Sequence, residues 1–249
     1  MSHMKLSYID LFCGIGAFRM AMQNISNKFQ LNSTCVFSCD IDPHVQKIYQ
    51  NNFGEKPFGD ITKINETLIP DHDVLFAGFP CQPFSIIGRG NGFNDTRGTL
   101  FFDIARIIKA KNPECVILEN VKRLVGHDHG KTFSRIIGVL MNLGYSISFR
   151  ILNALDFGLP QKRERVFLVG SKRPFVFHWN LDKKPMRPLR SILENTIANK
   201  YFASADIQTK RKLSHKSKYH PSIWHENKSG NISSHPYSCA LRAQASHNY

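Results

Sequence analysis

Within Gly78-Phe79-Pro80-Cys81-Gln82-Pro83-Phe84-Ser85 a cysteine directly follows a proline, just past the apolar run Val74-Leu75-Phe76-Ala77. A thiol becomes a nucleophile once its proton is removed. The apolar run reads as a buried strand, and the proline ends it. Cys81 is therefore expected at the carboxyl edge of a sheet, where open α/β folds place their ligands. Further along, Val116-Ile117-Leu118-Glu119-Asn120-Val121 repeats the plan with a carboxylate near the end of the run. A thiol and a carboxylate brought to one rim by two strands are the parts of a nucleophilic site.

A second group of residues suits a cofactor. The first strand runs into Asp10-Leu11-Phe12-Cys13-Gly14-Ile15-Gly16-Ala17-Phe18, a turn whose glycines allow a ligand close to the backbone. The third glycine of the dinucleotide fingerprint is replaced by Arg19, so Gly-x-Gly alone carries little weight. Asp40 follows the second strand, where a carboxylate can accept bonds from both ribose hydroxyls. Asp60, in Gly59-Asp60-Ile61-Thr62, is placed to take an adenine amino group, and Ile41 and Ile61 to sandwich the ring. Taken singly, each aspartate also reads as a helix cap or turn. Jointly they favour an adenosine-type cofactor.

These residues need a scaffold, and the chain up to about residue 170 supplies one. Ser7 to Phe12, Cys35 to Ser38, Val74 to Ala77, Val116 to Leu118, Ser146 to Leu152 and Arg165 to Val169 read as strands. Phe18 to Gln23, Pro43 to Asn52, Leu100 to Ala110 and Thr132 to Leu143 read as helices, the last ended by Gly144. Alternation of this kind predicts an α/β fold with a doubly wound, mostly parallel sheet. The domain division expected is 1–180 and 181–249.

The 249 residues suffice for one large domain, or one plus a small one, with no need of disulfide or metal. The six cysteines show no Cys-x-x-Cys pair, and no metal site is expected. His127 and His129 read as solvated loop residues, and His215, His220, His225 and His235 as surface. No apolar run is long enough to span a membrane, and no secretory segment is evident, which predicts a soluble intracellular protein. The start Met1-Ser2-His3-Met4 reads as a cloning remnant ahead of a native Met4. Net charge is +14, and it is uneven: residues 171–249 hold 14 Lys/Arg against 4 Asp/Glu. That basic segment suits a polyanion, most simply nucleic acid, although its few apolar residues give little from which to build a core.

Taken in order, DLFCGIGAF, SCDID, GDIT, GFPCQPFS, LENV and QKRERVFLVG resemble the motifs of the cytosine-5 DNA methyltransferases. The resemblance runs from residue 8 to about 170 and is continuous between the motifs, as in Gly92-Phe93-Asn94-Asp95-Thr96-Arg97-Gly98. It implies a Rossmann-like, S-adenosylmethionine-dependent enzyme of the compact bacterial restriction–modification type. S-adenosylmethionine, leaving as S-adenosylhomocysteine, is then bound by Phe12, Gly14, Ile15, Gly16, Asp40, Ile41, Asp60, Ile61 and the backbone near Pro80. By the same resemblance Cys81 is the nucleophile that adds to C6 of a flipped-out cytosine, and Glu119 engages N3 and the exocyclic amino group. Arg165 reaches O2, Arg163 is structural or assists, and Asn120 orders the loop that carries Cys81. Gln82, Ser85, Arg89 and Arg97 are then DNA-binding, the last three within a glycine-rich segment from Ser85 to Leu100 that closes over DNA in the family. The partner implied is double-stranded DNA, with a cognate restriction endonuclease as functional pair. The place implied is the bacterial cytoplasm, on the nucleoid.

Family members continue into a target-recognition domain and return to the catalytic domain through a final motif. Here Ser238 to Tyr249 resembles the start of the penultimate motif, and only residues 171–235 remain for an incomplete target-recognition region. The expectation is either a split enzyme, with a second polypeptide supplying the remainder, or a truncated and inactive one, and in both cases an apolar groove beside the first strand and helix. Three alternatives stay open: a tRNA cytosine-5 methyltransferase, a decayed DNA-binding remnant and, more distantly, a small-molecule methyltransferase.

Overall fold

The computed structural model describes residues 5–80, 100–199, 202–226 and 231–240. The chain forms β1 (Lys5–Leu11), α1 (Ala17–Phe29), β2 (Asn32–Cys39), α2 (Pro43–Phe53) and β3 (Val74–Gly78). It continues through α3 (Leu100–Lys111), β4 (Cys115–Val121), the short α4 (Arg123–Gly126), α5 (Lys131–Asn142), β5 (Ser146–Asn153), β6 (Gln161–Lys162) and β7 (Glu164–Ser171). Then come α6 (Ala205–Ser214), β8 (Ile223–Glu226), β9 (Ile232–His235) and β10 (Ser238–Cys239).

Six strands make one sheet in the order β2-β1-β3-β4-β7-β5. β2, β1, β3 and β4 run parallel, and β7 runs antiparallel to β4. The helical crossovers between the parallel strands make this the expected doubly wound α/β fold. The main core joins Ile9, Leu11, Leu75, Ala77, Val116 and Leu118 of the strands to Phe101, Ile104 and Ile108 of α3 and Ile136 and Leu140 of α5. Each of these side chains larger than alanine, fully buried, contributes roughly 1.5–3 kcal/mol. A smaller cluster of Tyr8, Met22 and Phe76 involves β1, α1 and β3.

Local chemistry fixes the helix ends. Asp42 caps α2 by accepting the N–H groups of His44 and Val45 at 2.8 and 3.4 Å, with Pro43 in the first turn. α1 runs on to Phe29, past the expected Gln23, and stops where Gln30 turns left-handed. Gly144 has φ 89°, the conformation for which glycine ends a helix.

The chain divides into two compact units, residues 1–151 with 165–179, and residues 152–164 with 180–249. In this division residues 152–164 fall with the second unit. In the second unit β6 pairs with β10 and β8 with β9. From 202 to 240 no residue of described burial is fully buried, as the polar composition requires. Three of the four histidines read as surface are half-buried there. The His215 ring shares a 2.9 Å hydrogen bond with Ser234 Oγ and packs edge-on to Trp224, and His235 stacks on Tyr237.

Candidate active site

Between β1 and β3 the sheet order reverses, because the chain goes from β1 outward to β2 and then crosses back to β3. That switch point leaves a crevice beyond the carboxyl ends of the strands. The turn after β1 and the Gly78-Phe79-Pro80 segment after β3 both open onto it.

The turn is shaped for a ligand. Phe12 sits at φ 55°, a left-handed conformation that a bulky residue adopts only when its surroundings hold it there. Gly14 (φ 56°) donates its N–H to Asp40 Oδ2 at 2.9 Å, and a Cβ at this position would meet nothing within 4 Å. At Gly16 (φ 93°) a Cβ would fall 2.0 Å from Phe53 Cε2, so glycine is required by both conformation and space. Ile15 is exposed, and its carbonyl accepts from the Asn52 amide at 3.2 Å.

Asp40 follows β2, with its second oxygen accepting the Asp42 N–H at 3.0 Å. Ile41 beside it is 68% exposed. Asp60 Oδ1 accepts the Thr62 N–H and hydroxyl at 3.0 and 2.8 Å, and these bonds hold its carboxyl below the usual range. It caps a single helical turn, while Oδ2 faces Lys63 at 3.9 Å. Ile61 is packed in the main core at 3% exposure, so it offers a ligand little side-chain surface.

Two residues without an assigned role in the sequence reading support this half. Arg19, in the place of the missing glycine, pairs with both oxygens of Glu55 at 2.9 Å, donates to Tyr49 Oη at 3.2 Å and lies over the Phe53 ring. Arg106 of α3 donates to the Ile61 carbonyl at 2.6 Å while it pairs with Glu66 at 2.7 Å and Asp103 at 3.0 Å. Apart from the Asp103–Arg106 pair within α3, these partnerships have no local signal, because they join elements far apart in the chain.

On the other side of β3, Gly78 pairs with Glu119 of β4. Arg165 of β7 lies opposite Val121, and its Nε is 2.9 Å from Glu119 Oε1, both side chains being about one-fifth exposed. Asn120 is buried. Its amide donates to the Phe79 carbonyl at 2.9 Å, and its Oδ1 accepts the Val121 N–H at 2.8 Å. It thus pins the backbone just ahead of Pro80. Arg163 belongs to the second unit, where its N–H bonds Asn153 Oδ1 at 3.2 Å and its carbonyl accepts from Ala154. Cys81, Gln82, Ser85, Arg89 and Arg97 lie outside the described residues. His127 shares a 2.7 Å hydrogen bond with Thr132 Oγ1.

The crevice suits an adenosine-containing methyl donor on two observations: the open space over Gly14, and a fully buried carboxyl, Asp10, just ahead of the turn, whose two oxygens have no hydrogen-bond partner. Phe12, Gly14, Asp40, Ile41 and Asp60 are the groups that would hold it.

A switch-point sheet with this turn, an aspartate after β2, another capping a helical turn, and a glutamate–arginine rim has the architecture of the Rossmann-like methyltransferases. Residues 6–246 match the C-5 cytosine-specific DNA methylase family, and the chain belongs to it. It is 51% identical over 244 residues to the Type II methyltransferase M.NgoBI of Neisseria gonorrhoeae and, equally, to M.HaeII of Haemophilus aegyptius. In both cases the alignment takes in 97% of this chain and 75% of the relative. The fold is shared with the Entamoeba histolytica methyltransferase EhMeth (TM-score 0.65, 22% identity, 86% of this chain and 67% of that one). It is shared also with the S. pombe Dnmt2 methyltransferase (TM-score 0.65, 23% identity, 85% and 68%). Among the described residues no helix is long and apolar enough to cross a membrane.

Proposed function

We propose that this chain methylates C5 of a cytosine flipped out of duplex DNA, with S-adenosylmethionine as donor, as the modification half of a restriction–modification pair. The observation that carries this reading is the Glu119–Arg165 pair on the rim beside β3, where the segment leading to Cys81 begins. The bound donor supplies an electrophilic sulfonium methyl group.

The chain's own residues supply the rest. Cytosine C5 is a weak nucleophile. The Cys81 thiolate adds to C6, the S–C6 bond forms, and the ring becomes an enamine nucleophilic at C5. Glu119, entering protonated, gives its proton to N3 as the ring takes up the electron pair. Arg165 orients that carboxyl and reaches toward O2. After C5 is methylated, a base removes its proton, the electron pair returns through the ring, and the S–C6 bond breaks. Glu119 then takes back the N3 proton. The target base must leave the stack to reach Cys81. Gln82, Ser85, Arg89 and Arg97 contact the DNA backbone around it, and the basic second unit supplies further phosphate contacts.

Two partners complete the proposal: a cognate endonuclease, and a second polypeptide covering the sheet face where Phe18, Leu6, Cys35, Val74 and Ile117 are only partly buried. The substrate places the enzyme in the bacterial cytoplasm, on the nucleoid.

The test is methylation of mixed-sequence duplex DNA, with product sequencing and transfer RNA as control substrate. Covalent trapping on 5-fluorocytosine DNA accompanies it, with and without neighbouring gene products. Trapping abolished by Cys81→Ser supports the mechanism, and turnover surviving that substitution in the assembled enzyme rules it out. Methylation of tRNA in preference to DNA overturns the substrate assignment. Full activity of the chain by itself removes the second polypeptide.

A further inference from the structure

Asp10 is a carboxyl without a counter-charge. It is 0% exposed, on β1 between Ser38 of β2 and Phe76 of β3, two residues before Phe12. Neither oxygen meets a donor at full hydrogen-bonding geometry, and the nearby backbone N–H of Arg19 favours the ionised form only weakly against burial. The groups that sense its charge come from every neighbouring element: Tyr8 of β1, Cys13 of the turn, Arg19 of α1, and Cys35, Cys39 and Asp40 at β2. Of these only Arg19 is cationic, and its guanidinium is committed to Glu55 and Tyr49. Burial accordingly pushes the Asp10 carboxyl up to about 7.

An unpaired buried acid costs stability in either form, far more when ionised. It is tolerated where it does something else. On the functional reading above, the turn alternates between two ligands that differ by one charge. The donor is a sulfonium, and the product left after methyl transfer is a neutral thioether. We propose that Asp10 is a proton-linked counter-charge to the methyl donor, ionised when the sulfonium occupies the turn and protonated when the turn holds the neutral product. The donor's positive charge lowers the cost of ionising Asp10, so donor binding expels a proton. Loss of that charge on methyl transfer calls the proton back, which weakens the preference of the turn for what it now holds. Asp10 is thereby a specificity-determining residue for donor over product.

The experiment is titration calorimetry of the full chain with S-adenosylmethionine and with S-adenosylhomocysteine, in buffers of different ionisation enthalpy, between about pH 6 and pH 8. The ammonium and carboxylate of the amino-acid end are common to both ligands, so the difference in protons released reports the sulfonium. Below about pH 7 the donor should release close to one proton more than the product, and its affinity relative to product should fall about tenfold per pH unit. Asp10→Asn should make that ratio independent of pH. Because a buried substitution can also unfold the strand, infrared spectroscopy of the wild-type chain gives a second readout. A protonated-carboxyl band should be present at about pH 6 with product bound and lost with donor bound. Equal proton release for both ligands, or a pH-dependent ratio persisting in Asp10→Asn, overturns the inference and leaves the functional reading intact. Binding of neither ligand overturns the reading itself, and the inference with it.

Discussion

Arg165 and Glu119 meet diagonally across an antiparallel strand pair, Nε to Oε1 at 2.9 Å, with Phe167 directly opposite the glutamate. Side chains so placed share one face of the sheet and reach each other without a loop between them. The pair is therefore held by two strands, which is how a group that must hand over a proton at a defined place is best fixed.

Glu119→Gln keeps the shape of that pair and removes the transferable proton. Turnover should fall about 100-fold or more, the usual worth of a positioned acid, while thermal stability changes little. Arg165→Ala should weaken trapping on 5-fluorocytosine DNA as well as turnover. Radiolabelled methyl transfer and gel-shift trapping measure the two effects. A Gln variant with wild-type turnover would show that this carboxyl does not act as the acid.

Gly16→Ala should destabilise the first unit by about 1–3 kcal/mol, since the new methyl group collides with the Phe53 ring in a left-handed backbone. Phe53→Ala in the same chain should restore part of the loss and leave the backbone component. Urea denaturation of the single and double variants reads both.

Arg106 holds the Ile61 carbonyl from α3. Its replacement by lysine, which cannot span Asp103, Glu66 and the carbonyl together, should raise the KM for the methyl donor several-fold with kcat nearly unchanged. That split separates a positioning residue of the donor site from a general loss of folding, which would lower the active fraction and leave KM alone.

His72 is buried at the amino end of β3, with Nδ1 2.8 Å from the Pro70 carbonyl and Nε2 unpartnered. Burial disfavours its charged form, and Lys111 adds to this, so it is harder to protonate in the folded chain than in the unfolded one. The unfolded chain then binds more protons, and stability rises with pH. The contribution is complete above the ordinary histidine range near about 6.5 and is lost as pH falls below it. His72→Asn should flatten that limb of a stability–pH curve obtained by chemical denaturation.

The alternation of apolar runs with helical stretches made the sheet legible, because the apolar side chains that mark β1, β3, β4 and β7 are the ones buried in the core. The candidate site was legible in the same way where residue type and chemistry coincide, as at Glu119, Asp40 and the glycine turn. Arg19 was read only as a missing glycine. Its task depends on Glu55, Tyr49 and Phe53, brought to it by α2 and the turn beyond, and no local pattern announces such a pairing. Asp10 passed as one more motif residue, since an orphaned carboxyl is visible only when its surroundings are known. The second unit was the least readable. Its elements cover few apolar groups, and histidines that look like surface residues are half-buried against one another's neighbours.

Gly78 has a consequence for how such an enzyme can diverge. A methyl group there would touch Glu119 Oε2 at 3.7 Å on one side and the Phe12 carbonyl at 3.9 Å on the other. On the proposed function, the machinery for holding a one-carbon reagent and the machinery for handling its acceptor are built on separate halves of the sheet, with one side-chain-free residue as the seam. Acceptor preference can drift on the β4–β7 half while the reagent's berth stays as it is, provided nothing grows into that seam.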